Sequence, residues 1–160
     1  MPREETSQGD IFAEVQASPG HLLRRFQQIA VSMFLKECRE YDLTPLQYAA
    51  LAALSVSDPL DQVTLGGMIA LDRTTIGVVI RNLEARELVV RETSTRDRRS
   101  KMIRISPAGT ALLTEVRPLV ENVQTRLLAP LAIEEQDQLV ALLQRVVAAH
   151  NQESRVPLRP

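Results

Sequence analysis

The chain has 160 residues, of which 44% are hydrophobic, 3% aromatic and 24% charged. That length suffices for one domain with its own core, and an aliphatic, alanine-rich core favours packed helices over a β-sandwich. The single cysteine, Cys38, excludes an intramolecular disulfide and therefore a secreted disulfide scaffold. The polar N-terminus lacks a signal-peptide pattern and no apolar run approaches ~18 residues, so we expect a cytoplasmic protein without a membrane span.

The net charge of −1 hides an uneven distribution of charged residues. Residues 73–104 hold nine Lys and Arg against four Asp and Glu, which leaves the rest of the chain acidic. A basic segment on an acidic body is typical of a protein that meets phosphate on one face. A solvated arginine-rich surface would give the same count.

The N-terminal half is predicted to be helical. Residues 1–10 resemble a loose polar tail, and residues 11–17 are compatible with a short helix that 18–20 interrupts. A 3.6-residue apolar period predicts a long helix over His21–Tyr41. The pair Thr44-Pro45 supplies an N-cap and a first-turn proline for the next helix.

A helix-turn-helix is predicted next. Thr64 caps a short helix that runs to Leu71, and its glycine pair suggests that another backbone passes close by. Asp72 is the N-cap of the following helix, Arg73–Arg86. That helix has an apolar stripe of Ile76, Val79, Ile80 and Leu83.

The other side of the Arg73–Arg86 helix carries small or hydrogen-bonding residues, namely Thr74, Gly77, Val78 and Arg81, flanked by Arg73 and Thr75. Arginine suits bidentate contact with guanine or phosphate. An ordinary surface helix would more often carry Glu–Lys pairs, so the pattern favours a base-reading helix over a plain surface helix.

A β-hairpin follows, with predicted strands over residues 88–93 and 101–105. Its tip carries Arg96, Arg98 and Arg99, which cannot help a core and are placed to reach phosphates or a narrow minor groove. Asp97 would orient one of these arginines through a salt bridge. We call residues 88–105 the wing.

Two helices are predicted after the wing. Ser106-Pro107 begins the first, which Pro118 should kink or break, and Ile133 begins the second. Residues 151–160 are predicted to be a flexible tail. The terminal helices carry more apolar surface than the central module can cover, which predicts a homodimer; the alternative is a monomer whose terminal helices fold back.

Four segments resemble the MarR family of bacterial transcriptional regulators over residues 20–150. They are Leu43–Tyr48, Leu65–Met68, Thr74-Thr75 with Asn82-Leu83-Glu84, and Asp97–Ser100 followed by Ile105–Gly109. The resemblance implies a mostly α fold with a small β wing, in which a winged helix-turn-helix joins a helical dimerisation layer. It also implies a homodimer that binds a palindromic operator in double-stranded DNA, usually as a repressor.

The domain prediction is a single MarR-like domain over residues 1–160. Its parts are an arm (1–18), a dimerisation layer and scaffold (19–58 and 106–150), the winged helix-turn-helix (60–105) and the tail. The predicted DNA-binding residues are Thr64, Arg73, Thr74, Thr75, Gly77, Arg81, Arg96, Asp97, Arg98, Arg99 and Lys101. By position, Arg99 resembles the family's minor-groove arginine.

The resemblance also implies an effector, often aromatic, bound between the dimer layer and the winged module. Along the first long helix, His21 and Arg25 are placed to hold a carboxylate. The predicted ligand-binding residues are His21, Arg25, Phe26, Gln28, Met33 and Tyr48. The run His21–Gln28 resembles regulators of nicotinic acid catabolism, which implies a hydroxylated pyridine carboxylate. Alternatively, this polar stripe faces solvent or makes dimer salt bridges.

Three other functions remain to be weighed. Peroxide-sensing family members keep a reactive cysteine near the start of the first helix, whereas Cys38 lies near its end, which favours a packed thiol over a redox sensor. A winged-helix module used only for protein assembly is a further alternative. An enzyme is not expected, because the sequence shows no phosphate loop, metal-ligand spacing or catalytic triad. For the same reason we expect neither a cofactor nor a metal.

Overall fold

A computed structural model describes residues 8–93 and 101–159 of the chain. Its helices are α1 (Gln8–Ala17), α2 (Pro19–Glu37), α3 (Pro45–Ser55), α4 (Gln62–Met68), α5 (Arg73–Ala85), α6 (Pro107–Leu128) and α7 (Ile133–Ala149). Its strands are β1 (Leu60–Asp61), β2 (Val89–Thr93) and β3 (Lys101–Ile105), and short 3-10 helices follow α2 (Arg39–Tyr41) and α7 (Asn151–Glu153). The predicted mostly helical fold with a small β wing is confirmed.

Helix starts follow capping chemistry. The predicted break after the first short helix is confirmed, since α1 ends at Ala17. Ser18 is the N-cap of α2, and its side chain accepts a hydrogen bond from the His21 N–H at 3.4 Å. At α3, the Thr44 hydroxyl accepts from the Gln47 N–H at 3.2 Å while the Gln47 side chain accepts from the Thr44 N–H at 3.0 Å. This reciprocal pair confirms Thr44 as the N-cap.

The N-cap predicted for α4 is wrong by three residues. Asp61, not Thr64, caps the helix, and its Oδ1 accepts from the N–H groups of Val63 and Thr64 at 2.9 and 3.0 Å. The helix also ends early, at Met68, and Ala70 adopts the left-handed conformation with φ 52°. The close approach of backbone is confirmed, because a Cβ on Gly66 would lie 2.9 Å from the Leu71 carbonyl oxygen.

The wing belongs to a three-stranded antiparallel sheet in the order β1-β3-β2. Strand β1 was not predicted, since two residues are too short to show a period. It pairs Leu60 with Ile103, and β2 pairs Val89 with Ile105. The sheet therefore ties the start of α4 to the base of the wing.

The junction between wing and α6 is closely packed. The Ser106 hydroxyl donates to the Glu87 carbonyl at 2.7 Å and accepts from the Gly109 N–H at 3.0 Å. A Cβ on Gly109 would collide with the Leu88 carbonyl oxygen, so this position requires glycine. Helix α6 continues through Pro118 instead of breaking there.

The core lies between α3, α5, the sheet and α6, with Leu51, Leu65, Ile76, Leu83 and Val116 fully buried. In contrast, α7 has no buried residue. Among the described residues no single helix is long and apolar enough to cross a membrane; only α4 and α5 together, bent by 106°, meet the length and composition needed.

The C-terminal residues do not form the predicted loose tail. After the second 3-10 helix, the Asn151 amide donates to the Leu158 carbonyl at 3.1 Å, and its oxygen accepts from the Leu158 N–H at 2.8 Å. The Arg159 N–H then donates to the Gly67 carbonyl of α4 at 2.9 Å. The polar, proline-containing composition of these residues predicts a flexible tail. The hydrogen bonds that order them involve single residues and therefore leave no periodic pattern in the sequence. We call residues 151–159 the return segment.

Candidate nucleic-acid interface and effector surface

Both helices of the helix-turn-helix begin with the same Asp-x-x-Thr arrangement. At α5, Asp72 Oδ1 accepts from the N–H groups of Thr74 and Thr75, each at 2.9 Å, which confirms Asp72 as the N-cap. The Thr75 hydroxyl donates to Asp72 Oδ2 at 2.7 Å, and the Thr64 hydroxyl makes the same bond to its own cap, Asp61, at 2.6 Å. These hydroxyl bonds are the main reason why the pKa of each aspartate is lowered.

The predicted two-sided character of α5 is largely confirmed. Ile76, Ile80 and Leu83 are at most 1% exposed, while Arg73, Thr74, Val78 and Arg81 face solvent. Thr75 is half-buried. The exposed side of α5 therefore presents the guanidinium groups of Arg73 and Arg81 and the hydroxyl of Thr74, which does not bond to the capping Asp72.

Gly77 is not on the exposed side of α5, contrary to the prediction. It is buried, and a Cβ there would lie 3.3 Å from Gln62 Nε2 and 3.5 Å from a guanidinium nitrogen of Arg81. The missing side chain leaves room for Gln62, whose Nε2 donates to the Arg73 carbonyl at 3.2 Å. Sequence reasoning missed Gln62, which joins α4 to the first turn of α5.

Side-chain pairs join the two strands of the wing. Lys101 Nζ donates to Thr93 Oγ1 at 2.7 Å, and Arg104 Nε donates to Glu92 Oε1 at 2.7 Å. Lys101 thus belongs, with Thr93, to the last described cross-strand pair before the tip. Arg96, Asp97, Arg98 and Arg99 lie outside the described residues, so their assignments stay predictions.

Arg86 is a second residue that sequence reasoning missed. Its Nη1 donates to the Asp42 carbonyl at 2.7 Å and its Nη2 to the Tyr41 carbonyl at 2.7 Å. These bonds join the end of α5 to the corner after α2. No local sequence signal points to them, because the partners are backbone atoms more than 40 residues away.

The predicted effector residues lie along α2 and at the start of α3. His21 is half-buried, with its Nδ1 3.4 Å from Arg24 Nη2, and Arg25 is exposed, with its Nη1 3.5 Å from Gln28 Oε1. Phe26, Met33 and Tyr48 are half-buried, and the Tyr48 ring meets Phe34 edge-on at 6.0 Å. His21 and Arg25 therefore have the accessibility that a carboxylate site needs.

A cavity of about 470 Å³ lies beside α6, near Tyr48 but not lined by it. Its lining consists of Ser55, Thr110, Leu113, Thr114, Arg117, Pro118 and Glu121. Burial raises the pKa of Tyr48, with opposing effects from Arg117 and Glu121. None of the six predicted effector residues lines this cavity, so a single copy of the described chain does not enclose them there.

Cys38 is only 1% exposed, and burial, helped by the Glu37 charge, raises its pKa. A buried thiol that resists ionisation is a poor nucleophile towards peroxide. Both observations favour the packed role over the redox sensor.

Helices α1, α2 and α7 expose aliphatic and aromatic side chains that a soluble single chain would not leave free in such number. At 45% exposure or more, they are Ile11, Phe12, Val15, Leu22, Leu23, Ile29, Leu35, Ile133, Leu142, Val146 and Val147. The location of this surface, on the terminal helices, is the one predicted for a dimerisation layer.

Comparison with known proteins gives the context for these features. The profile of the MarR family matches residues 43–101, which include α4, α5 and most of the wing. The chain is 29% identical to the HTH-type transcriptional repressor NicR of Pseudomonas putida over 134 residues, which is 84% of this chain and 85% of NicR.

Two solved structures are similar over most of both chains. One is Bordetella bronchiseptica BpsR, whose DNA binding is regulated by 6-hydroxynicotinic acid, with TM-score 0.78, 30% identity and coverage of 82% of this chain and 94% of BpsR. The other is the transcriptional repressor CouR bound to a 23-mer DNA duplex, with TM-score 0.80, 27% identity and coverage of 85% and 96%.

Proposed function

Because the chain belongs to the MarR family of winged-helix, DNA-binding transcriptional regulators, we propose that it is a homodimeric repressor that binds a palindromic operator and leaves it when a small aromatic or heteroaromatic acid binds. The observation that carries the DNA-reading part is the surface of α5. Its core stripe is buried, and Arg73, Thr74 and Arg81 are left exposed with no acidic residue among them.

In this proposal α5 enters the major groove. Arg81 and Thr74 contact base edges, Arg73 contacts phosphate, and Thr64 and Thr75, held by their capping aspartates, contact the backbone beside the groove. Lys101 and the tip residues Arg96, Arg98 and Arg99, with Asp97 as the orienting acid, extend the contact along the neighbouring strand. Gly77 has no part in the proposal, because Gln62 and Arg81 cover it.

The proposed dimer rests on the exposed apolar side chains of α1, α2 and α7. A two-fold pair would bury that surface and place two copies of α5 about one helical turn of DNA apart. This spacing is what a palindromic operator requires.

The proposed effector is an aromatic carboxylate, with 6-hydroxynicotinic acid as the first candidate. The support is the accessible pair His21 and Arg25 on α2 together with the similarity to BpsR and NicR. His21 and Arg25 would hold the carboxylate, and Gln28 a ring substituent. Phe26, Met33 and Tyr48 would contact the ring.

The DNA-reading part is tested by selecting duplexes from a randomised pool with the full-length protein. We expect an inverted repeat to be enriched, and Arg81→Gln to relax the preference at one position of each half-site while Arg39→Gln, a matched exposed arginine outside the interface, changes nothing. An Arg81→Gln variant with unchanged preference at every position would contradict the placement of α5.

The effector part is tested by thermal shift with 6-hydroxynicotinic acid and a panel of benzoic and pyridine carboxylic acids. An acid that raises the melting temperature should also release the selected duplex in a gel-shift assay. His21→Ala and Arg25→Ala should lose both effects, whereas Lys36→Ala, on the same helix, should keep them. If no acid in the panel binds, the effector proposal fails and the DNA proposal stands.

A further inference from the structure

The return segment brings two arginines to the helix-turn-helix from the far end of the chain. Arg155, Val156, Pro157 and Arg159 form one side of a cavity of about 280 Å³ whose other side is the α4–α5 turn, Arg73 included. The Arg159 N–H donates to the Gly67 carbonyl of α4 at 2.9 Å, and a Cβ on Gly67 would lie only 3.2 Å from the Arg159 Cβ. Gly67 thus leaves the space in which the return segment sits.

The path of the return segment is fixed at both ends. Asn151 brackets Leu158 through two hydrogen bonds, of 3.1 and 2.8 Å, and the Ser154 hydroxyl donates to the Val156 carbonyl at 3.0 Å. These contacts hold the six residues between Asn151 and Leu158 in a closed loop. Arg155 and Arg159 are therefore carried on a constrained segment beside the DNA-reading helix.

Two acidic groups near this loop, both among the described residues, already have hydrogen-bond partners. The Asp72 carboxylate accepts three hydrogen bonds at the start of α5, and Glu153 Oε1 lies 3.1 Å from His150 Nδ1. Within residues 8–93 and 101–159, the guanidinium groups of Arg73, Arg155 and Arg159 have no hydrogen bond or ion pair, and all three residues are exposed. Three guanidinium groups that have no partner among the described residues thus border one cavity next to α5.

We propose that the return segment is a second DNA-contacting element, in which Arg155 and Arg159 bind backbone phosphates beside those bound by the helix-turn-helix. This inference rests on the proposed function, since it needs α5 to face DNA. A phosphate backbone supplies closely spaced negative charges without sequence preference, which is the partner that free, exposed arginines fit. The return segment accordingly adds affinity and salt dependence but no base selectivity.

The test is the salt dependence of binding of the full-length protein to two labelled duplexes of equal length, the selected operator and a scrambled sequence. For Arg155→Gln and Arg159→Gln, the slope of log affinity against log salt concentration should fall in magnitude by about 0.9 for each arginine lost, counted over both chains of the proposed dimer. At fixed salt, both duplexes should lose affinity by the same factor. Arg39→Gln, which removes one exposed arginine elsewhere, should leave the slope unchanged.

Asn151→Ala tests whether the constrained path matters, because Asn151 itself contacts no DNA in the proposal. It should weaken binding, and adding it to Arg155→Gln/Arg159→Gln should produce little further loss. Unfolding curves and light scattering confirm that each variant keeps its fold and assembly state.

An unchanged slope in the double arginine variant, or tighter DNA binding, would overturn the inference; tighter binding would mean that the return segment opposes DNA contact. A loss confined to the operator would also overturn it, because it would mean base readout. If the wild-type protein does not distinguish the operator from the scrambled duplex, the proposed function fails instead.

Discussion

Both helices of the helix-turn-helix begin with an aspartate that has the same spacing to a threonine. Asp61 and Asp72 each accept two backbone N–H bonds and one threonine hydroxyl bond. The caps therefore satisfy the first N–H groups of each helix and orient Thr64 and Thr75 at the same time. The sequence contains both Asp-x-x-Thr patterns, but it predicts the capping aspartate only for α5 and predicts Thr64 as the N-cap of α4. Thr64 is itself a good capping residue, so the sequence offers two candidate N-caps three residues apart, Asp61 and Thr64.

Acid should weaken these caps within a defined pH range. The hydroxyl bonds of Thr64 and Thr75 are the main cause of the lowered pKa of Asp61 and Asp72 in the folded state. The stabilisation is therefore complete above the unfolded aspartate pKa of about 3.9 and is lost as the pH falls through the lower folded-state values. Urea unfolding between pH 2 and pH 7 should show the Asp61→Asn/Asp72→Asn variant less stable than wild type at neutral pH, with the difference shrinking as the pH falls below the unfolded aspartate pKa of about 3.9.

If the difference between wild type and this double variant stayed constant across that pH range, the aspartates would not titrate as the geometry requires. Asparagine also caps helices well, so the helices themselves should persist in the variant.

Cys38 gives a second prediction for a single residue. At 1% exposure and with a raised pKa, its thiol should react with iodoacetamide slowly in the native protein and rapidly in urea. Hydrogen peroxide should leave DNA affinity unchanged. Equal labelling rates in native and unfolded protein, or release of DNA by peroxide, would restore the redox-sensor interpretation.

The elements are joined by contacts that local patterns do not reveal. The periodicity of Ile76, Val79, Ile80 and Leu83 correctly predicted the buried side of α5, because burial of an amphipathic helix repeats along the chain. In contrast, β1 has two residues and no period, and Arg86 binds carbonyls in a different element. The prediction that Gly77 lies on the exposed side of α5 is wrong because Gln62, which covers Gly77, belongs to a different helix, α4.

The Arg86 contacts predict a loss of stability when the side chain is removed. Arg86→Ala loses two 2.7 Å hydrogen bonds from a charged donor, which should lower the free energy of unfolding by roughly 2 kcal/mol. Arg86→Lys should recover only part of this, since one ammonium group does not reproduce the fork that reaches both carbonyls. Urea unfolding measures both. Equal stability of wild type and Arg86→Ala would show that the corner after α2 does not depend on this contact.

At the scale of the whole molecule, the main feature is the apolar surface that the terminal helices leave exposed. The sequence predicted a surplus of apolar surface at the ends of the chain, and the structure leaves α7 without a buried residue while Val146 and Val147 are 55% and 63% exposed. The ordered path of the return segment was not predictable from its composition, because specific hydrogen bonds hold it. In the proposed dimer, the arrangement of the predicted effector residues would likewise depend on how two copies pack, which a local sequence pattern does not predict.

Charge placed on α7 should separate assembly from folding. Val146→Asp should shift the protein towards monomer in light scattering while the helical signal is retained, because α7 contributes nothing buried to the single chain. Gln144→Glu, which adds a negative charge at a position that is already polar, should leave the assembly state unchanged. Loss of folded structure in Val146→Asp would mean that α7 instead supports the core of its own chain.

In the proposed function, two copies of the chain bind one palindrome, each through its own α5. Sedimentation of the protein with the selected duplex tests it most directly, because the mass of the complex counts the copies bound. We expect two chains on each duplex that carries both half-sites, with no stable complex of one chain at protein concentrations where half of the duplex is bound. A complex of one chain with one duplex, formed as readily on a single half-site, would contradict the claim.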